Sequence, residues 1–204
     1  MAINMDRGSD KPREIVPEGS HVAVLYSIVE IGHVPNTYPG SEGQKVHQIR
    51  FTWEFPDEMR DFDGVQKPLV AGRVFTISLG DKSNLLPVIE GMVGKLSEEE
   101  KEGGIDFKGK LLGKACMVQI AHQTSKAGNT YAKVVGVIPL PKSVPAPAGF
   151  NPQVYLDYAE EWNDETYSAL PPFVKDDMAK SDEMRARLGL SEKSPEVDPS
   201  EIPF

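Results

Sequence analysis

The chain has 204 residues and a formal net charge of −9 at pH 7, with 39% hydrophobic and 26% charged residues. That balance suits one packed domain with appendages and excludes a wholly disordered chain. No apolar run reaches bilayer-spanning length, residues 1–17 carry no leader-like hydrophobic stretch, and a single cysteine excludes an internal disulfide framework. A cytoplasmic protein without a membrane partner is therefore expected.

The charge is unevenly spread. Residues 1–141 sum to −2 and residues 142–204 to −7. A uniformly acidic chain would argue against a phosphate-bearing partner, whereas a near-neutral body with an acidic tail leaves the body open to one. Cys116 lies in the apolar run 115–120 and reads as a buried thiol.

After a flexible N-terminal segment (1–17), residues 21–31 form a β-branched, apolar run ended by Gly32, which predicts a first strand. Residues 32–44, rich in Gly, Pro, Asn and Ser, predict a long surface loop. In residues 45–55, His47, Ile49, Phe51, Trp53 and Phe55 alternate with Val46, Gln48, Arg50, Thr52 and Glu54, a second strand with one apolar and one mostly polar face. A charged loop over 56–68 leads to a third strand over 73–79, where Phe75, Ile77 and Leu79 alternate with Thr76 and Ser78.

Leu85, Leu86, Val88, Ile89, Met92 and Val93 then follow helical spacing, with Asp81 or Ser83 as N-cap and Gly94 at the stop. Residues 96–107 form an acidic, exposed insertion. Residues 114–122 and 130–138 predict a hairpin about a turn containing Gly128 and Asn129. Five strands with one helix between the third and fourth is the element order of an OB-fold, a small, partly open five-stranded barrel that commonly binds oligonucleotides across its second and third strands. This mainly β domain spans 18–141.

A Pro-rich linker occupies 142–152. Residues 153–190 predict short helices broken at Pro171-Pro172: Tyr155, Tyr158 and Trp162 fall at helical spacing, as do Phe173, Val174, Met178, Met184 and Leu188. These aromatics could stack on nucleic acid, but an apolar payload of this size favours docking against the barrel or a second subunit. Residues 191–204 read as a disordered acidic tail.

The tail ends Asp198-Pro199-Ser200-Glu201-Ile202-Pro203-Phe204, with acidic groups ahead of an aromatic tip that carries a free α-carboxylate. Phe204 can fill an apolar pocket, its carboxylate can meet a basic side chain, and Pro203 restricts the peptide before binding. On Ile202, Pro203 and Phe204, with Asp198 and Glu201 as the acidic part, the chain resembles bacterial and phage single-stranded DNA-binding proteins. Their OB-fold is followed by a flexible acidic tail ending in Ile-Pro-Phe. Phe51-Thr52-Trp53-Glu54-Phe55 and Leu111-Leu112-Gly113-Lys114 look more like the phage-encoded branch. Two departures stand out. The run of consecutive aspartates is missing, and the helical stretch replaces a Gly- and Gln-rich linker, so tetramer formation is not carried over and a homo-oligomer of another kind is compatible.

The resemblance implies sequence-independent binding and protection of single-stranded DNA in replication, recombination and repair, in the host cytoplasm for a phage protein. Partner proteins of those pathways would bind through Asp198, Glu201, Ile202, Pro203 and Phe204. Such binding combines cations along the backbone path with rings on which bases stack. The candidate cations are Lys45, Arg50, Arg73, Lys126 and Lys133, and the candidate stackers are Tyr38, His47, Trp53, Phe75 and Tyr131. Phe51, Phe55, Phe75 and Trp53 also lie in alternating apolar rows that suit a core. Tyr131 opens the fifth strand beside a basic turn, and Arg50, on the polar face, suits either a phosphate contact or a surface ion pair with Glu54 or a neighbour.

Catalytic chemistry finds no motif. Gly109 to Ala115 resembles a phosphate loop but has three residues between its glycines and Ala115 where a hydroxyl is needed. Asp57, Glu58, Asp61 and Asp63 could hold magnesium in a phage nuclease, yet they fail the EF-hand order and suit a solvated loop. His21, His33, His47 and His122 lack zinc spacing. No catalytic residue, metal or cofactor is expected; a metal-dependent nuclease, or an adaptor acting through the tail alone, are the alternatives.

Overall fold

The computed structural model describes residues 14–190 apart from 63, 81 and 126. Most of the fold is one sheet. Strands β1 (Gly19–Pro35), β2 (Lys45–Phe62), β3 (Val65–Thr76), β4 (Ala115–Thr124) and β5 (Thr130–Pro139) are antiparallel in the order β3-β2-β1-β4-β5. A short β6 (Val154–Leu156) lies parallel to β1 at Ser27–Val29, continuing the edge along which β4 pairs at Gly19–Val24.

Helices α1 (Leu86–Val93), α2 (Glu98–Gly103) and α3 (Phe107–Leu111) fill the β3–β4 connection, and α4 (Asp164–Ala169), α5 (Pro172–Met178) and α6 (Asp182–Arg187) come after β6. Among the described residues no helix is long and apolar enough to cross a membrane.

The alternation read in β2 builds the first core. Phe51, Trp53 and Phe55 are fully buried, Ile49 nearly so, and they pack with Ala23, Leu25, Phe75, Cys116, Val118 and Val134. Phe51 meets the Trp53 ring edge-on at 5.9 Å and the Phe75 ring at 5.6 Å. Each such side chain contributes roughly 1.5–3 kcal/mol by leaving water. α1 closes this core; its N-cap is Leu85 rather than the expected Ser83, whose hydroxyl, two residues earlier, accepts from the backbone N–H of Leu85 and Leu86, and Gly94 ends the helix at φ +89°. The other expected cap, Asp81, lies outside the described residues. Gly91 is required where α1 crosses β5, because a Cβ there would overlap the Val137 carbonyl.

A second core lies on the opposite face of β1. Val29, Ile31 and Val34 pack with Leu156, Leu170, Val174, Met178 and Met184. β1 thus sends Leu25 and Ile28 to one core and Val29 and Ile31 to the other, which explains its nearly continuous apolar run: a strand covered on both faces needs no polar side.

Four expectations are corrected. Gly32 does not end β1 but sits at a register shift inside it, at φ +96°, where Ser181 and Glu183 crowd the space a Cβ would take. Residues 56–68 are no loop: after a shift between Phe55 and Met59, β2 and β3 pair on to Phe62 and Val65, since Pro56 at an irregularity costs no ladder bond. The 96–107 insertion holds α2, begun by a capping box between Ser97 and Glu100, and buries Leu96. Residues 153–163 are not helical. Tyr155 lies in β6, and Tyr158 and Trp162 stack at 5.2 Å from an irregular segment, so their four-residue spacing reflects a turn of chain held by Asp157, not a helix.

The Pro-rich segment is tied down at its end. Glu54, fully buried on the outer face of β2, accepts from the backbone N–H of Phe150 (2.6 Å), the backbone N–H of Asn151 (2.8 Å) and the Asn151 side-chain amide (2.5 Å).

Candidate nucleic-acid interface

The described candidate residues fall into three groups, with Arg73 apart from them. Trp53 and Phe75 are not available to bases: both point into the first core, at 0% and 2% exposure. Trp53 shares its row with Phe51 and Phe55, and Phe75 meets that row from β3, while the other row of β2 carries Arg50, Thr52 and Glu54. Burial pushes the neighbouring Cys116 thiol up to about 12, against an opposing pull from the Trp53 indole, so the thiol stays protonated.

The second group is engaged by other side chains, Lys45 and Arg50 by the C-terminal helices and His47 by β1. Lys45 Nζ pairs with Asp182 of α6 at 2.6 Å. His47 Nε2 meets Glu30 at 2.5 Å, and its ring stacks on His33 at 4.3 Å. His33 in turn meets Glu183 through its ring at 2.5 Å and donates its backbone N–H to the same carboxylate at 2.8 Å. Burial alone would raise the Glu183 carboxyl, but the His33 ring and amide outweigh it and hold it below its ordinary range. Arg50 stands on the outer face with its guanidinium 4.8 Å from the centre of the Phe173 ring of α5, and its Nε is buried without a hydrogen-bond partner. Burial lowers its pKa, against Asp177 and Tyr26, which favour the charge. Arg50 makes no ion pair with Glu54, whose oxygens serve the segment around Phe150.

The third group is open. Tyr131 is 42% exposed, with its hydroxyl donating to Gln123 at 3.0 Å across the β4–β5 ladder. Lys133, two residues on and so on the same face, is exposed and has no carboxylate partner among the described residues. Val135, 48% exposed, continues the row. Tyr38, 74% exposed, projects from the β1–β2 loop. Arg73 differs from all of these: it lies along the Phe75 ring at 4.9 Å and donates to the Val134 carbonyl at 3.1 Å, linking β3 to β5. Lys126 and the tip residues Asp198, Glu201, Ile202, Pro203 and Phe204 lie outside the described residues.

Phe173 and Asp182 were not legible as partners of Arg50 and Lys45, nor Glu30 and His33 as partners of His47, nor Glu183 as the partner of His33. The apolar spacing of α5 and α6 announces a docked face, but no local signal says which strand receives it.

No family model matches the sequence, and no curated protein matches it.

Proposed function

We propose that the chain is a non-enzymatic protein that binds single-stranded DNA irrespective of base order and recruits replication or recombination proteins through its C-terminal tip. The observation that carries the reading is the row Tyr131–Lys133: an exposed ring beside a cation that has no carboxylate partner among the described residues, at the turn end of the β4–β5 hairpin. That pairing of ring and charge is what a sequence-tolerant site for unpaired strands needs.

The fold supports the same reading. Strand order β3-β2-β1-β4-β5, a helical connection (α1 to α3) between β3 and β4, and an Arg73 bond joining β3 to β5 are compatible with an OB-fold barrel, whose loops β1–β2 and β4–β5 flank the oligonucleotide path. Tyr38 belongs to the first of those loops and Tyr131 borders the second. In the alternative nuclease reading Glu58 would be a metal ligand; Glu58 faces His21 at 3.1 Å.

Titration with oligo-dT and with duplex of equal length, at two salt concentrations, tests the proposal. Single strands should bind in preference, with affinity falling as salt rises by a slope of roughly −0.7 per neutralised phosphate. Tyr131→Ala should weaken binding by the loss of about one stacked base, roughly 1–3 kcal/mol. Equal affinity for the duplex, or magnesium-dependent cleavage of the oligonucleotide, overturns it.

A further inference from the structure

The outer face of β2 and β3 carries a ring that the strands themselves do not supply. Arg50 lies across this face, and Gly72 of β3 makes room for it: a Cβ there would come within 2.6 Å of the Arg50 Nη2 and 3.0 Å of the Thr52 hydroxyl. Phe173 covers the guanidinium yet remains 45% exposed, so one side of the ring rests on a cation while much of the rest meets solvent. Its neighbours Val174 and Met178 are buried in the second core, which holds α5, and with it the ring, in place. Asp177, the carboxylate nearest in effect to Arg50, is bonded to Lys180 at 2.7 Å. Arg50 Nε has no acceptor, so stacking rather than hydrogen bonding seats this side chain.

A second exposed ring borders the same face. Phe150, 52% exposed, has its backbone pinned to Glu54, and Glu54 pairs across the ladder with Val70, itself 43% exposed. Positions 50 and 54 of β2 are about 13 Å apart at the rise of a strand. That spacing suits two bases of one strand separated by a further nucleotide.

We propose that Phe173, seated on Arg50, is a base-stacking residue contributed to the DNA site by the C-terminal helices, with Phe150 as a second stacking position. The proposal rests on the single-stranded DNA reading and extends it: the region after the sheet is part of the binding surface as well as a support. A flat, neutral π-partner fits the exposed ring, and the guanidinium behind it supplies positive charge beside the backbone path.

The test uses the full chain with oligo-dT. Phe173→Leu keeps apolar bulk and removes the ring; it should weaken binding about 5- to 100-fold with little change in melting temperature. Phe173→Trp should retain binding, and its added fluorescence should be quenched by oligo-dT beyond the change seen with the unsubstituted protein. Unaltered affinity in the leucine variant, or no added quenching in the tryptophan variant, overturns the stacking role while leaving the DNA reading intact. Failure of the unsubstituted protein to bind oligo-dT overturns both.

Discussion

Glu54 is a carboxylate with no solvent contact, and it is stabilised by three N–H groups from a segment almost a hundred residues later in the chain. Removing it leaves those donors buried without an acceptor, at roughly 1–3 kcal/mol for each group that water cannot reach. Glu54→Ala is therefore expected to lower stability by about 2–4 kcal/mol, read as a drop in melting temperature, and Glu54→Gln to recover only part of it, since its amide meets donors with a donor. At this scale the sequence was partly transparent. Strict alternation placed Phe51, Phe55 and Phe75 in a row that suits a core, and Trp53 shares that row and that fate. It could not place Glu54, which sat on the nominally polar face: alternation separates two faces but does not say that the second is covered as well.

The attachment of α6 to β1 and β2 is an electrostatic seam. Lys45–Asp182, His33–Glu183 and the stacked His33–His47 pair with Glu30 lie along it. Because the Glu183 carboxyl is held below its ordinary value of 4.5, its contribution is fully present above that pH and is lost as pH falls through the lowered folded-state value. Acidification below about 4.5 should loosen α6 before the sheet, seen as early loss of the Trp162 signal, whose ring lies under Arg187 of α6 at 4.1 Å. Glu183→Gln should cost about 1–2 kcal/mol at neutral pH and flatten that acid limb. Simultaneous loss of both regions would sink the seam as a separate unit. None of this was readable beforehand, since its partners are brought together only by tertiary folding from positions far apart in the chain.

For the molecule as a whole, the C-terminal region forms the roof of a second core. A chain ended after residue 141 would uncover Val29, Ile31 and Val34 on β1 and lose Leu156, Val174, Met178 and Met184 that cover them. Such a fragment is expected to self-associate, measurable by light scattering, because a contiguous apolar patch is left facing water. A monodisperse, fully stable fragment would show that the roof is dispensable. The succession of β1 to β5 along the chain and the position of α1 were legible from turn residues and periodicity. The dependence of the sheet on residues 150–190 was not, because a Pro-rich stretch reads locally as a spacer even when its far end is anchored.

β1 is enclosed on both faces and flanked along both edges, with β2 on one side and β4 then β6 on the other. Its last neighbour, at residues 154–156, is made long after residues 27–29, and contacts so distant along the chain form late. During synthesis, the antiparallel strands can therefore assemble while one stretch of β1 still lacks its parallel partner. The newborn protein passes through a stage with a bare strand edge and an unroofed surface, the state most vulnerable to sticking to its neighbours. Arrival of the final quarter of the polypeptide ends that exposure.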